Sequence, residues 1–216
     1  MNKLRAAIIL DNLKIAEWQK LALEEAADVL DIEVILSCKN TKNKKNLSKN
    51  FLYYSLNMFT LKNKLTKKTT YTYSNAKLIK FDSIYNDNWQ SIPAEASKEL
   101  KDSNIDVVIK FGMSLLKIDD NINEFPILSY HHGDPSKFRG RPAGFYELLN
   151  NEDKSGIIVQ KLTNQLDAGH VLAFAESKLT YYSYKKSAES FYLQSQFLLR
   201  KSILNLNNDT LIDIVT

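Results

Sequence analysis

Apolar and polar positions alternate along this chain in a way that predicts strands and helices by turns. Residues 4–10 form a short apolar run that stops at Asp11-Asn12, and beyond it Ile15, Trp18, Ala22, Ala26 and Val29 recur at helical spacing. Residues 32–36 (Ile32-Glu33-Val34-Ile35-Leu36) are a second strand, so the chain opens with a βαβ unit, which crosses over right-handedly. Leu78 to Phe81 reads as a minor strand, Ala94 to Asp102 as a helix, and Ile105 to Phe111 as a buried strand ending at Gly112. Further strands are expected at Pro126 to His131, Gly156 to Leu162 and Val171 to Ala175. Helices are expected from Gly144 to Leu149 and, closing the chain, over about 187–207. This alternation predicts an α/β fold: a Rossmann-like, open, mostly parallel twisted sheet flanked by helices, with ligands beyond the C-terminal ends of its strands.

Composition adds bounds. A chain of 216 residues, 44% hydrophobic, is long enough for one domain with a substantial core, expected to span 1–216. The single cysteine, Cys38, forms no internal disulfide and no multi-cysteine metal site, which suits a reducing compartment. The basic start reaches Asp11 after only a short apolar run, so neither a signal peptide nor a spanning helix is expected, and the protein reads as cytoplasmic.

Net charge is only +4, but it is unevenly placed. From Lys39 to Phe81 there are eleven lysines and no acid, which marks a basic insert at about 39–77. Such a segment suits a phosphorylated substrate, an anionic surface or nucleic acid, and equally a solvated lysine-rich loop. Within it, the apolar residues from Phe51 to Phe59 read as packing on the domain or in an oligomer contact such as a homodimer, rather than as a membrane element.

Chemistry concentrates further on. All three histidines fall in one forty-residue stretch, as His131-His132-Gly133-Asp134 and as His170 after Asp167-Ala168-Gly169. A histidine exchanges protons near neutral pH and a carboxylate fixes its orientation, so His131 and Asp167 are the first candidates for a catalytic pair. A metal cluster is the competing reading of His-His-Gly-Asp. Adjacent strand residues point to opposite faces, however, so His131 and His132 do not easily share one ion. No G-x-G-x-x-G turn supports a dinucleotide site.

The run from Leu128 through Ser129, His131, Lys137, Phe138 and Arg139 to Gly140 resembles the Asn-x-His and Lys-Tyr-Arg-Gly loop of the 10-formyltetrahydrofolate-dependent formyltransferases. Asp167-Ala168-Gly169 is similar to that family's Asp-x-Gly. The 36 positions separating His131 from Asp167 reproduce the family interval and select His131 over His132. Upstream, Asp106 to Leu116 looks like the strand and loop that frame the folate pterin. The resemblance thereby implies 10-formyltetrahydrofolate as formyl donor, bound by Phe111, Gly112, Met113, Leu115 and Leu116, with no metal. It holds from about residue 105 to 175, while residues 1–36 match only as a βαβ pattern.

The resemblance further implies that His131 takes a proton from an attacking amine, that Asp167 orients it, and that His132, Asp134, Lys137, Arg139 and Arg141 contact the acceptor. One position departs: Ser129 stands where the family places an asparagine that holds the formyl oxygen. A hydroxyl still donates but reaches less far, and losing one such donor typically costs roughly 10²–10³ in rate. Of the family's acceptors, methionyl-tRNA is disfavoured because the forty or so residues after 175 look helical rather than like a further β-barrel. Glycinamide ribonucleotide is disfavoured because Leu10-Asp11-Asn12-Leu13-Lys14 replaces a Gly/Ser-rich phosphate turn. His-x-Gly and Lys-Phe-Arg-Gly-Arg are most similar to the sugar N-formyltransferases of surface lipopolysaccharide biosynthesis, which implies a nucleotide-linked amino sugar as acceptor. Hydrolysis of formyl-folate, and a catalytically degenerate folate- or partner-binding member, stay open as alternatives.

Overall fold

The structure, a computed structural model, describes residues 2–40, 63–73, 75–133, 137, 143–164 and 169–212. Its centre is a sheet in the order β5-β3-β1-β8-β10-β11-β12, formed by Lys77–Phe81, Leu30–Cys38, Leu4–Asp11, Val107–Lys110, Ile127–His132, Lys154–Lys161 and His170–Lys178. The five strands β5, β3, β1, β8 and β10 run parallel; β11 and β12 then return antiparallel. The runs expected to be central strands are buried on both faces, as parallel strands between helical layers must be.

Helices α1 (Glu17–Glu25), α4 (Tyr184–Ser195) and α5 (Leu198–Asn207) cover one face, where Ala22, Leu23, Phe191, Leu199 and Ile203 meet Ile8, Leu10, Ile109, Leu128 and Val159. The other face packs Ile9, Leu36, Val108 and Ile127 against Ala96 and Leu100 of α2 (Ala94–Asp102) and against Ile92, Ile122 and Phe125. The helix expected from Gly144 to Leu149 is α3 (Phe145–Leu149), whereas the one expected over 187–207 is two helices, broken at Gln196-Phe197, and the break leaves Phe197 half exposed. Periodicity did not show the break because the apolar stripe carries across it.

Several short strands lie outside the sequence expectations. Asp11 pairs with Lys14 through a two-residue turn in which Asn12 and Leu13 both have positive φ (50° and 56°), starting a hairpin with β2 (Lys14–Ala16). Strand β4 (Lys68–Thr70) adds to β2, so the later part of the basic insert belongs to the sheet. A small second sheet joins β6 (Ile84–Asn86), β7 (Trp89–Ser91) and β9 (Leu115–Leu116). Residues 41–62, including the apolar run from Phe51 to Phe59, lie outside the described residues. No helix among those described is long and apolar enough to cross a membrane.

Gly112 fixes how β8 leaves the sheet. A Cβ there would lie 2.6 Å from the Asp11 backbone nitrogen and 2.7 Å from the Leu10 carbonyl carbon, so only glycine lets the two chain segments touch. Gly112→Ala is expected to destabilise the fold by about 1–3 kcal/mol, the usual cost of overpacking, read as a lower denaturation midpoint at unchanged m-value.

Candidate active site

Strand β10 divides its residues by parity. Leu128, Tyr130 and His132 face the α1/α4/α5 layer, while Ile127, Ser129 and His131 face the other side. Two of the side chains expected to serve ligands fall on the helical side. Phe111 and Tyr130 flank Trp18, with ring centroids 6.0 and 4.9 Å from it, and His132 lies edge-on to Trp18 at 5.1 Å and to Tyr192 at 4.9 Å. Alternation thus points the Phe111 and His132 side chains away from the face that carries His131, and both pack in the helical layer.

His132 has a defined state. The Ser195 hydroxyl donates to the Phe191 carbonyl at 2.8 Å, so the 2.9 Å contact between His132 Nε2 and Ser195 Oγ requires the imidazole to donate. Burial among aromatic rings, with a lesser push from His131, depresses the pKa of this imidazole to about 3.

On the opposite face, the second core cluster ends at Ile127, and beyond it the sheet carries Ser129 and His131. Their β11 partners are Gln160 and Ile158, and Phe174 on β12 pairs in turn with Ile158. Ser129 and Gln160 are buried and His131 half-buried. The parallel register sets Lys110 of β8 beside Ser129. Lys110, Ser129 and His131 stand at or near the C-terminal ends of parallel strands, where an open α/β sheet takes its ligands.

The loop after β8 is held from two sides. Asp11 Oδ1 accepts from the Met113 amide at 2.9 Å and Gln90 Oε1 from the Ser114 amide at 2.8 Å. Gln90, buried itself, donates to Ser83 Oγ at 2.8 Å, and Asn40 accepts from both the Ser83 amide and hydroxyl at 2.7 and 2.9 Å. Met113 and Leu116 turn their side chains into the core, so what they present to a ligand is backbone; Leu115 is half-buried.

Asp167, Asp134, Arg139 and Arg141 lie outside the described residues. The chain on either side of 165–168 is firmly seated. Asn164 exchanges two hydrogen bonds with the Ile118 backbone, at 2.8 and 2.7 Å. Gly169 packs so closely that an added Cβ would meet the Lys161 carbonyl oxygen at 2.6 Å and Gln160 Oε1 at 2.8 Å. Lys137 lines a cavity of about 380 Å³ whose wall includes Gly156, Phe174 and Glu176, next along the sheet from His131's partner Ile158. Among the described residues no group of three or more His, Cys, Asp or Glu side chains is arranged to hold a metal ion.

Asp11, Gln90 and Lys110 were not among the sequence-level candidates. Only Lys110 left a trace in the sequence, as a charge closing an apolar strand.

With this geometry in view, similar proteins can be compared. No protein-family model matches the chain. A methionyl-tRNA formyltransferase from Mycoplasmopsis pulmonis is 27% identical over 108 residues, 49% of this chain and 36% of that protein, so the match spans about a third of the relative's length. Among solved structures, a phosphoribosylglycinamide formyltransferase from Anaplasma phagocytophilum superposes with a TM-score of 0.65 at 14% identity, covering 99% of this chain and 96% of its own. A glycinamide ribonucleotide transformylase from Symbiobacterium toebii gives 0.64 at 13% (98% and 91%), and a formyltetrahydrofolate deformylase from Pseudomonas syringae gives 0.60 at 14% (96% and 62%).

The chain has the formyltransferase fold. The likeness to these solved structures, at 13–14% identity, is one of fold, and the partial match to the methionyl-tRNA formyltransferase is a likeness of sequence to a protein of the same kind.

His132 gives this formyltransferase-fold chain a testable acid response. Its folded pKa lies below the ordinary value of 6.5, so the unfolded chain takes up a proton that the folded chain refuses. Nothing is lost above pH 6.5; below it stability falls by about 1.4 kcal/mol per unit, or about 2 kcal/mol by pH 5. His132→Phe should cost about 1 kcal/mol at neutral pH through the lost hydrogen bond. It should also flatten the acid limb of a denaturation-midpoint series between pH 7.5 and 4.5.

Proposed function

We propose that the protein transfers a formyl group from 10-formyltetrahydrofolate to the primary amine of a small acceptor, with a nucleotide-linked amino sugar as the acceptor class. The observation that carries this reading is the placement of Ser129 and His131 on one open sheet face, next to Gln160 and across β8 from the loop held by Asp11 and Gln90. The donor set fits a carbonyl whose oxygen gains charge: Lys110, Ser129 and His131 bring an ammonium, a hydroxyl and an imidazole to the same face of two adjacent strands.

When bound, the folate supplies an electrophilic formyl carbon. His131 removes the proton that the amine must lose as it adds, and Asp167, two residues from the Gly169 that packs on Gln160, orients that imidazole. Ser129 donates to the formyl oxygen as charge develops there. Lys137, lining the cavity beside Phe174, with Asp134, Arg139 and Arg141 close to it in sequence, receives the acceptor.

The start of α1 favours a sugar nucleotide over glycinamide ribonucleotide. A helix N-terminus binds phosphate through unsatisfied amides, but here the Glu17 and Trp18 amides donate to the Lys67 and Leu65 carbonyls at 3.1 and 3.0 Å, and the Ala16 amide donates to Gln19 Oε1 at 2.8 Å. The turn preceding the helix is itself closed as a hairpin. Among the described residues the start of α1 offers no ready phosphate cradle, so the acceptor's phosphates are received elsewhere than at this end of the sheet.

Mass spectrometry of amino-sugar nucleotides incubated with the protein and 10-formyltetrahydrofolate tests the reading. One acceptor should gain a formyl increment, while glycinamide ribonucleotide should not. Release of formate without any formylated amine would instead establish hydrolysis, the activity named for the deformylase neighbour. His131→Ala and Asp167→Asn, each folded by circular dichroism, should lower kcat at least 10²-fold, the low end of a general-base contribution. Ser129→Asn should preserve or raise it.

A further inference from the structure

Lys110 is a charged residue at the end of an otherwise apolar strand. Val107 and Ile109 are buried toward the helical layer and Val108 toward the other face, so alternation puts Lys110 on the face of Ser129 and His131. Its parallel-register neighbours are Ile9 on one side and Ser129 on the other. Strands lie about 4.8 Å apart, so the lysine stem rises directly alongside the serine. Lys110 is half-buried, and its ammonium donates to the Ser114 carbonyl at 3.4 Å, which directs it across the strand ends toward the loop held by Asp11 and Gln90.

The geometry points to Lys110 as the electrophilic group of the site: its ammonium donates to the formyl oxygen and supplies the stabilisation that the short Ser129 hydroxyl provides only in part. The inference rests on the formyl-transfer reading and assigns within it a role that the sequence resemblance leaves to position 129. In the reaction, the acceptor amine nitrogen bonds to the formyl carbon and that carbon's bond to the folate nitrogen breaks. The proton leaving the amine passes through His131 and ends on the released folate nitrogen. Lys110 gives up no proton: it holds the oxygen while the carbonyl's electron pair moves onto it and back. A half-buried cation is suited to this, because its interaction with developing negative charge exceeds what water offers. Ser129 and Lys110 then form one donor pair, and the change at one position is matched by a charge at the other.

The test reads the carbonyl itself. The full-length protein is loaded with 10-formyl-5,8-dideazafolate labelled with ¹³C at the formyl carbon, and the labelled C=O stretch is measured by isotope-edited infrared difference spectroscopy. In the wild type the band should lie below its frequency in buffer. In Lys110→Met that displacement should be lost while affinity weakens by less than about tenfold, and Lys110→Arg should retain it. With an acceptor present, Lys110→Met should lower kcat by roughly 10²–10³ with little change in KM.

An unchanged band in folded Lys110→Met overturns the assignment while leaving formyl-folate binding intact. Failure of the wild type to bind the analogue overturns the formyl-transfer reading and this inference with it. Lys110→Gln stands in if the methionine variant does not fold. Independently of any variant's stability, the ¹⁵N–¹H signal of the Lys110 ammonium in the wild type, assigned by its absence from Lys110→Arg, must shift when the analogue is added; a stationary signal overturns the role.

Discussion

The alternation of side chains along β10 is the constraint on which the rest of the site depends. Tyr130 and His132 are anchored in the helical layer by Trp18, Tyr192 and Ser195, and the Tyr130 hydroxyl adds a 3.0 Å bond to the Ser195 carbonyl. Each edge-to-face contact is worth about 0.5–1.5 kcal/mol beyond burial, so the register is well determined. A slip of one residue would carry Ser129 and His131 into that aromatic layer and expose Tyr130 and His132 in their place. The neutral, half-buried His132, packed among aromatic rings, thus serves the site indirectly, by holding its neighbour on the other face.

Around this strand the parallel topology gathers residues far apart in sequence. Asp11, Lys110 and Ser129 close or approach the ends of three adjacent strands, and two glycines let backbone meet backbone where the site needs it. Gly112 brings the loop after β8 against Asp11, and Gly169 seats the chain leaving 165–168 against Gln160. The same economy closes the start of α1: the insert, read from sequence as a basic appendage, contributes the Leu65 and Lys67 carbonyls that satisfy the helix. Of its lysines, Lys39 pairs with Asp82 at 3.1 Å and Lys77 with Glu99, acids lying beyond the acid-free stretch. Such exposed pairs stabilise little but reduce the segment's positive field.

Much of the fold was legible because β1, β3, β8, β10 and β11 are apolar runs of ordinary strand length separated by turn residues. The three-residue strands β2, β4, β6 and β7 were not, since so few residues show no period and their stability comes from partners elsewhere in the chain. The separation of the two histidines onto opposite faces was legible through simple strand geometry. The packing of the Phe111 and His132 side chains against Trp18 was not read from the sequence, because motif membership was followed there in place of that same geometry. Lys110, Gln90 and Asp11 stayed hidden because their significance arises only from the register that brings positions 110 and 129, 90 and 114, or 11 and 113 together.

The account stands on the division of β10 into a packed face and a reacting face, and ¹⁵N-detected imidazole NMR tests that division most directly. His132 should persist as the neutral Nε2–H tautomer down to about pH 4 and keep its shifts when 10-formyl-5,8-dideazafolate is added, while the His131 signals should move. A His132 ring that protonates near pH 6.5, or that answers the folate analogue while His131 stays still, would contradict it.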